Sequence, residues 1–271
     1  MIEVKELTLH QRGEALLDGV SFKWKNGLIY GVLGDAASGK DLLLRAMAGI
    51  LPTDRGEVRI NGFSMQREPL RAKDCIGFVP GEVSLYPELT VSELLHFVAE
   101  VRGLSYEKAV RYVNRALEAT GLEERRRCLI GALSAWESIR LGIAQALVGK
   151  NEFLILEQPT QDLDPRRAGE LRELLRELGE SHTVILSSES VEEIRKTCDH
   201  VLLLSHGRVE LDLPVEEIGT ELGARFRAGR HSADGESGST DAPKRRRFDD
   251  VERDGEYEVI DLEGEKGGRE R

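Results

Sequence analysis

The chain has 271 residues, a formal net charge of −11 and 40% hydrophobic residues. That length admits one large domain, or one domain and a tail, with enough apolar content for a packed core. The acidic balance excludes nucleic acid as the main partner, because neutralising phosphates takes a basic face.

In chain order, residues 4–9 and 20–24 read as strands, and the run LIYGVL at 28–33, bounded by glycines, as a buried strand. A glycine-containing turn at 34–40 leads into helical apolar spacing at 41–50. Residues 56–61 predict a hairpin strand and 75–79 another short strand. The middle is helical. Thr90 and Glu93 have the spacing of a capping box opening a helix with Leu94, Leu95 and Phe97. Ser105 opens a second helix through Ala109, Val113 and Ala116, and 134–148 reads as a third.

The α/β alternation then returns. Residues 153–156 predict a buried strand, and Asp164-Pro165 a helix start, with Leu171, Leu174, Leu175 and Leu178 as inner face. Residues 184–186 follow as a strand, then a short helix capped by Ser190 and Glu193. Strands at 201–204 and 208–211 close the domain as a hairpin around His206-Gly207.

From Gly223 the chain is polar, with a basic cluster at 244–247 and an apolar island at 257–262. This composition predicts a disordered charged tail, 223–271, after a domain at 1–222. The basic cluster offers charge to anionic lipid, and the island a strand to a partner sheet, though an inert solvated tail is the simpler expectation. Cys75, Cys128 and Cys198 lack metal-ligand spacing and read as reduced thiols. No apolar run is long enough to span a bilayer, and charge enters by residue 5. The expectation is a cytosolic protein whose membrane role comes through a partner.

The sequence Gly34-Asp-Ala-Ala-Ser38-Gly39-Lys40 fits G-x-x-x-x-G-K between a strand and a helix. There, loop amides and a helix N-terminus point at an anion while the lysine reaches the outer phosphates. Further motifs follow in order: LYPELTVSELL at 85–95 with Arg102-Gly-Leu104, Leu133-Ser134 before a long helix, FLILEQPT at 153–160, Leu163-Asp164-Pro165, and Ser187-Ser188 with Asp199-His200-Val201. Together they resemble the nucleotide-binding subunits of ABC transporters, most closely those of ABC-2-type exporters, whose helical insert is similarly short. The resemblance implies a P-loop NTPase fold of ABC type: a mixed α/β sheet core, an antiparallel β subdomain and a helical subdomain at about 85–150. It also implies ATP and Mg²⁺ as ligands. The partners implied are an integral-membrane permease and a second ABC subunit, in a homodimer or heterodimer, on the cytosolic membrane face. The permease would dock near Gly81 and 85–95.

Against that family the sequence departs at the chemical positions. Gly34, Ser38, Gly39 and Lys40 keep the phosphate loop, with Ala37 in place of a glycine. The residue after the lysine, a Ser or Thr that ligates Mg²⁺, is Asp41, which is able to pair with Lys40 or to favour an empty helix N-terminus. An added charge beside phosphates costs about 3–4 kcal/mol at an effective dielectric near 20. The metal-associated Asp is Glu157, and the water-activating Glu is Gln158, an amide that cannot accept the proton. Loss of a general base costs about 10²–10⁴ in rate. Glu189 replaces the switch histidine, Gly81 the Q-loop glutamine, and His10-Gln11 the adenine-stacking aromatic. The signature Leu-Ser-Gly-Gly becomes Leu133-Ser134-Ala135-Trp136-Glu137, with an indole where a glycine lets phosphate approach, while Leu163 and Asp164 keep the D-loop.

Three readings follow. The first is a hydrolysis-deficient subunit. The second is an active ATPase in which Asp41 and Glu157 share the metal and Glu189 or Glu82 supplies the base. The third is a soluble scaffold outside transport.

Overall fold

The computed structural model describes residues 1–219. The expectations for the tail at 223–271, its basic cluster and its apolar island lie outside the described residues.

Strands β1 (Ile2–Gln11) and β2 (Glu14–Trp24) form a hairpin longer than the sequence reading allowed. Its turn is Arg12-Gly13, both at positive φ, 54° and 88°. That left-handed pair matches strand twist and lets the hairpin zip to its tip. Strand β3 (Ile29–Leu33) is buried at every residue and feeds the phosphate loop, which ends in helix α1 (Lys40–Met47). The helix stops short of residue 50 because Gly49 turns the chain at φ 68°. Strands β4 (Arg55–Ile60) and β5 (Phe63–Ser64) complete an antiparallel sheet of order β2-β1-β4-β5. Helix α2 (Pro69–Asp74) precedes β6 (Ile76–Val79).

The helical insert holds α3 (Val91–Val101), α4 (Tyr106–Thr120) and α5 (Ala135–Leu147). The capping box at Thr90 is formed: the Glu93 carboxylate accepts from the Thr90 N–H at 2.7 Å and the Thr90 hydroxyl oxygen accepts from the Glu93 N–H at 3.2 Å.

Beyond the insert come β7 (Phe153–Leu156), α6 (Pro165–Gly179), β8 (Thr183–Ser188), α7 (Val191–Thr197), β9 (His200–Ser205) and β10 (Arg208–Pro214). The second sheet has the order β10-β9-β3-β8-β7-β6 and is parallel except for β10. Its central strands are continuous apolar runs, as a parallel sheet covered on both faces requires. Asp164 caps α6 by accepting from the N–H groups of Arg166 and Arg167, both at 3.0 Å. Leu171, Leu175 and Leu178 are buried, whereas Leu174, expected on the same face, is half-buried. Between the sheets Trp24 stacks on Tyr30 with centroids 4.4 Å apart, and its indole N–H donates to Asp212 at 3.1 Å.

Helix α5 lies on β6 so closely that a Cβ at Gly77 would overlap the carbonyl oxygen of Ala146. Gly77→Ala therefore forces two backbones apart. A loss of about 1–3 kcal/mol is expected, read as a lower denaturant midpoint at unchanged slope.

Candidate functional site

The phosphate loop is held from three sides. Gly39 sits at φ 87°, and a Cβ there would stand 2.7 Å from the carbonyl oxygen of Leu16 on β2. The Ser38 carbonyl accepts from the Gly207 N–H at 3.0 Å, which ties the loop to the β9–β10 turn. The Ser38 hydroxyl donates to the Asp35 carbonyl at 2.8 Å. The loop's shape is thus set by packing.

Within it, internal acceptors already engage the donors. The Ala37 N–H, whose side chain is exposed, donates to the Asp35 carboxylate at 3.0 Å. Lys40 is 1% exposed. Its ammonium donates to the Asp35 carbonyl at 3.1 Å and to Glu189 at 3.4 Å, and lies 3.5 Å from Asp41. The pairing of Lys40 with Asp41 expected from the sequence is present, and Glu189 adds a second anion to the same cation.

The acids expected at the metal positions, Asp41 and Glu157, are also engaged. Asp41 accepts from the Gln158 amide at 2.6 Å through one oxygen and from the Ser187 hydroxyl at 2.8 Å through the other. Glu157, 3% exposed, takes a bidentate fork from Arg45: Nε at 2.6 Å and Nη2 at 2.9 Å. The Gly81 N–H adds a third donor to Glu157 at 3.3 Å. The Glu157 carboxylate raises the affinity of Arg45 for its proton, as a short charge-assisted fork should. Gln158, which the sequence places where the family's water-activating Glu is expected, holds φ 43°, an uncommon conformation for a residue with a side chain. A side chain at Gly81 would meet only ordinary contacts, so the glutamine missing there was not excluded by space.

Lys40, Asp41, Gln158, Ser187 and Glu189 therefore meet in one cluster, with Glu157 and Arg45 beside it. Asp41 and Glu157 are each engaged by their own donors. Magnesium takes near-octahedral oxygens at about 2.0–2.1 Å and retains several waters. Carboxylates held by a guanidinium fork, an amide and a hydroxyl do not fit that demand. Among the described residues no group of three or more His, Cys, Asp or Glu side chains is arranged to hold a metal ion.

The signature residues lie apart, at the start of α5. Ser134 caps that helix, its hydroxyl accepting from the Glu137 N–H at 3.3 Å and donating to the Glu137 carboxylate at 2.8 Å. Arg125 donates to the same carboxylate at 2.6 Å. Trp136 is half-buried, with the guanidinium of Arg167 on α6 5.3 Å from its ring and that of Arg140 5.9 Å away. Leu163 and Asp164 lead into α6. His10 lies on Asp54, its ring nitrogen 3.1 Å from the carboxylate.

The sequence model described as "ABC transporter" matches residues 17–161. The chain belongs to the ABC transporter family. It is an ATP-binding domain of that family, and its relatives carry that description. The linearmycin resistance ATP-binding protein LnrL of Bacillus subtilis (strain 168) is 32% identical over 210 residues, covering 77% of this chain and 68% of that protein. The bacitracin transport ATP-binding protein BcrA of Bacillus licheniformis is 32% identical over 223 residues, covering 80% and 71%. Among solved structures, cbiO1 from Clostridium perfringens, described as part of the ABC transporter complex cbiONQ, superposes with a TM-score of 0.74 at 25% identity, covering 86% of this chain and 98% of that one. The dimeric cassette MJ0796 superposes with a TM-score of 0.70 at 24% identity, covering 79% and 99%, and shares the fold. The likeness to exporter-type subunits fits the Bacillus relatives.

Two residues of this ABC domain's site escaped the sequence reading. Arg45 lies 112 residues from Glu157, and its apolar-helix context gives no sign of the pairing. Asp35 fell among the variable positions of G-x-x-x-x-G-K. The Ser134–Glu137 box was legible as S-x-x-E but was read only as signature.

Arg45→Ala leaves the buried carboxylate of Glu157 without its guanidinium fork. A stability loss of about 3–5 kcal/mol is expected by chemical denaturation. For Glu137, hydrogen bonds from Ser134 hold the carboxyl below its ordinary 4.5. A depressed folded value means that its contribution is complete above 4.5 and fades as pH falls through the folded value. Glu137→Ala should cost about 1 kcal/mol at neutral pH, and the gap to wild type should close in acid.

Proposed function

We propose that this chain is a hydrolysis-deficient ATP-binding subunit of a membrane transport complex, with a structural or regulatory role. It docks on an integral-membrane permease from the cytosolic side and pairs with a second ABC subunit or a second copy of itself. The observation that carries this reading is the cluster in which Gln158, at the base position, donates its amide to Asp41. A neutral carboxamide is too weakly basic at neutral pH to withdraw a proton from water. Glu189 supports the same conclusion, placing a carboxylate 3.4 Å from the phosphate-loop lysine. Trp136 and Ala135 replace the glycines of the signature, so the face offered to a partner's nucleotide is altered as well. Support for the transport role comes from relatives named for bacitracin transport and Nod factor export.

The test is turnover by purified protein with Mg·ATP, using Lys40→Ala as control. The expected rate equals that of the control. Turnover that Lys40→Ala abolishes would sink the reading in favour of an active ATPase with non-standard residues. Restoring family residues with Asp41→Ser, Gln158→Glu and Glu189→His together should raise hydrolysis by about 10²-fold or more. A permease co-purifying from native membranes supports the transport role, and its absence favours a scaffold outside transport.

A further inference from the structure

Away from the phosphate loop, a cavity of about 230 Å³ lies where the helical insert meets the parallel sheet. Its walls come from the chain just past α1, from α2, β6 and α3, and from the end of α5. Ile50, Phe78 and Val98 line it with apolar surface, and Lys73, Arg102 and Gln145 with polar groups. No Asp or Glu is among the described residues that line it. Ile50 and Lys73 are exposed, so the cavity opens to solvent.

Arg102, half-buried at the end of α3, has only neutral acceptors: the Asn151 side-chain oxygen at 2.6 Å and the Ile76 carbonyl at 3.0 Å. A guanidinium has more N–H donors than those two bonds use. Burial lowers its affinity for its proton, and Asp74 offsets only part of that. Neither Arg102 nor Lys73 forms an ion pair among the described residues. A charge withdrawn from water without a counter-charge is costly. The backbone makes room for both cations. A Cβ on Gly49 would stand 2.8 Å from the Lys73 Cε, and one on Gly149 3.0 Å from the Arg102 Nη1. We propose that this cavity binds a small apolar carboxylate, its head between Lys73 and Arg102 and its body against Ile50, Phe78 and Val98. The guanidinium fork matches a planar carboxylate. An inorganic anion would leave the apolar walls bare. The volume falls below the about 300–1,000 Å³ of sites for drug-sized ligands, which limits the body to a short chain or one ring. An occupant touches both the insert and the sheet, and so ties them together.

Calorimetric titration of the full chain with hexanoate and with benzoate tests the proposal. At least one should saturate a single site with a Kd of about 1 mM or tighter. Hexanamide keeps the body without the charge, and acetate and inorganic phosphate keep a charge without the body. Each should bind at least about tenfold more weakly than the better carboxylate. Lys73→Met removes the charge at an exposed position and keeps an apolar stem, so the fold is spared. It should weaken the carboxylate at least about threefold. Val98→Phe fills the cavity from a half-buried position, keeps both cations and should abolish binding. Saturation by neither carboxylate, equal binding of hexanamide or phosphate, or indifference to both substitutions overturns the proposal. So does a permease whose co-purification is lost in Lys73→Met while no carboxylate saturates, since the cavity then belongs to an acidic side chain of that partner.

Discussion

A buried carboxylate has to be paired, and the pairing of Glu157 with Arg45 organises the site. Glu157 directly follows the apolar strand β7 at 3% exposure, where an isolated charge is prohibitively costly. The fork from Arg45 settles that cost and fixes the far end of α1 against the sheet. Once α1 is fixed, Lys40 at its start falls between Asp41 and Glu189, and Asp41 falls on Gln158 and Ser187. The network is closed: cations have internal anions, and anions have internal donors.

The departures from the family thus cooperate. Asp41 alone would add an uncompensated charge beside the loop. With Gln158 in place of Glu, that charge gains a donor in place of a repelling neighbour. Glu189 in place of His gives Lys40 an anion of its own. The scaffold underneath is untouched. The loop strap through Gly39 and Gly207, the Asp164 cap and the buried parallel strands persist with their packing requirements intact.

Much of this was legible from residue order. The parallel strands declared themselves as uniform apolar runs, and the caps at Thr90, Asp164 and Ser190 by residue type and spacing. Two elements were not legible. The strand β5 has two residues, too few for a period of two to register, and α2 has six with one buried. Proline at the first position of α2 was its only signal. In the site, the phosphate loop and its altered neighbours were readable because the motif fixes their positions. Arg45 was not, because pairing across 112 residues is a property of the folded sheet and leaves no local pattern. Leu174 shows the reverse limit: its spacing put it on the inner face, and packing leaves it half-buried.

The two tryptophans of the chain sit in opposite surroundings. Trp24 is locked in a buried stack with its indole N–H bound to Asp212. Trp136 lies partly open between two guanidinium groups at the start of α5. Red-edge emission and its quenching by iodide accordingly come from one place. The molecule carries its own optical probe for the start of α5.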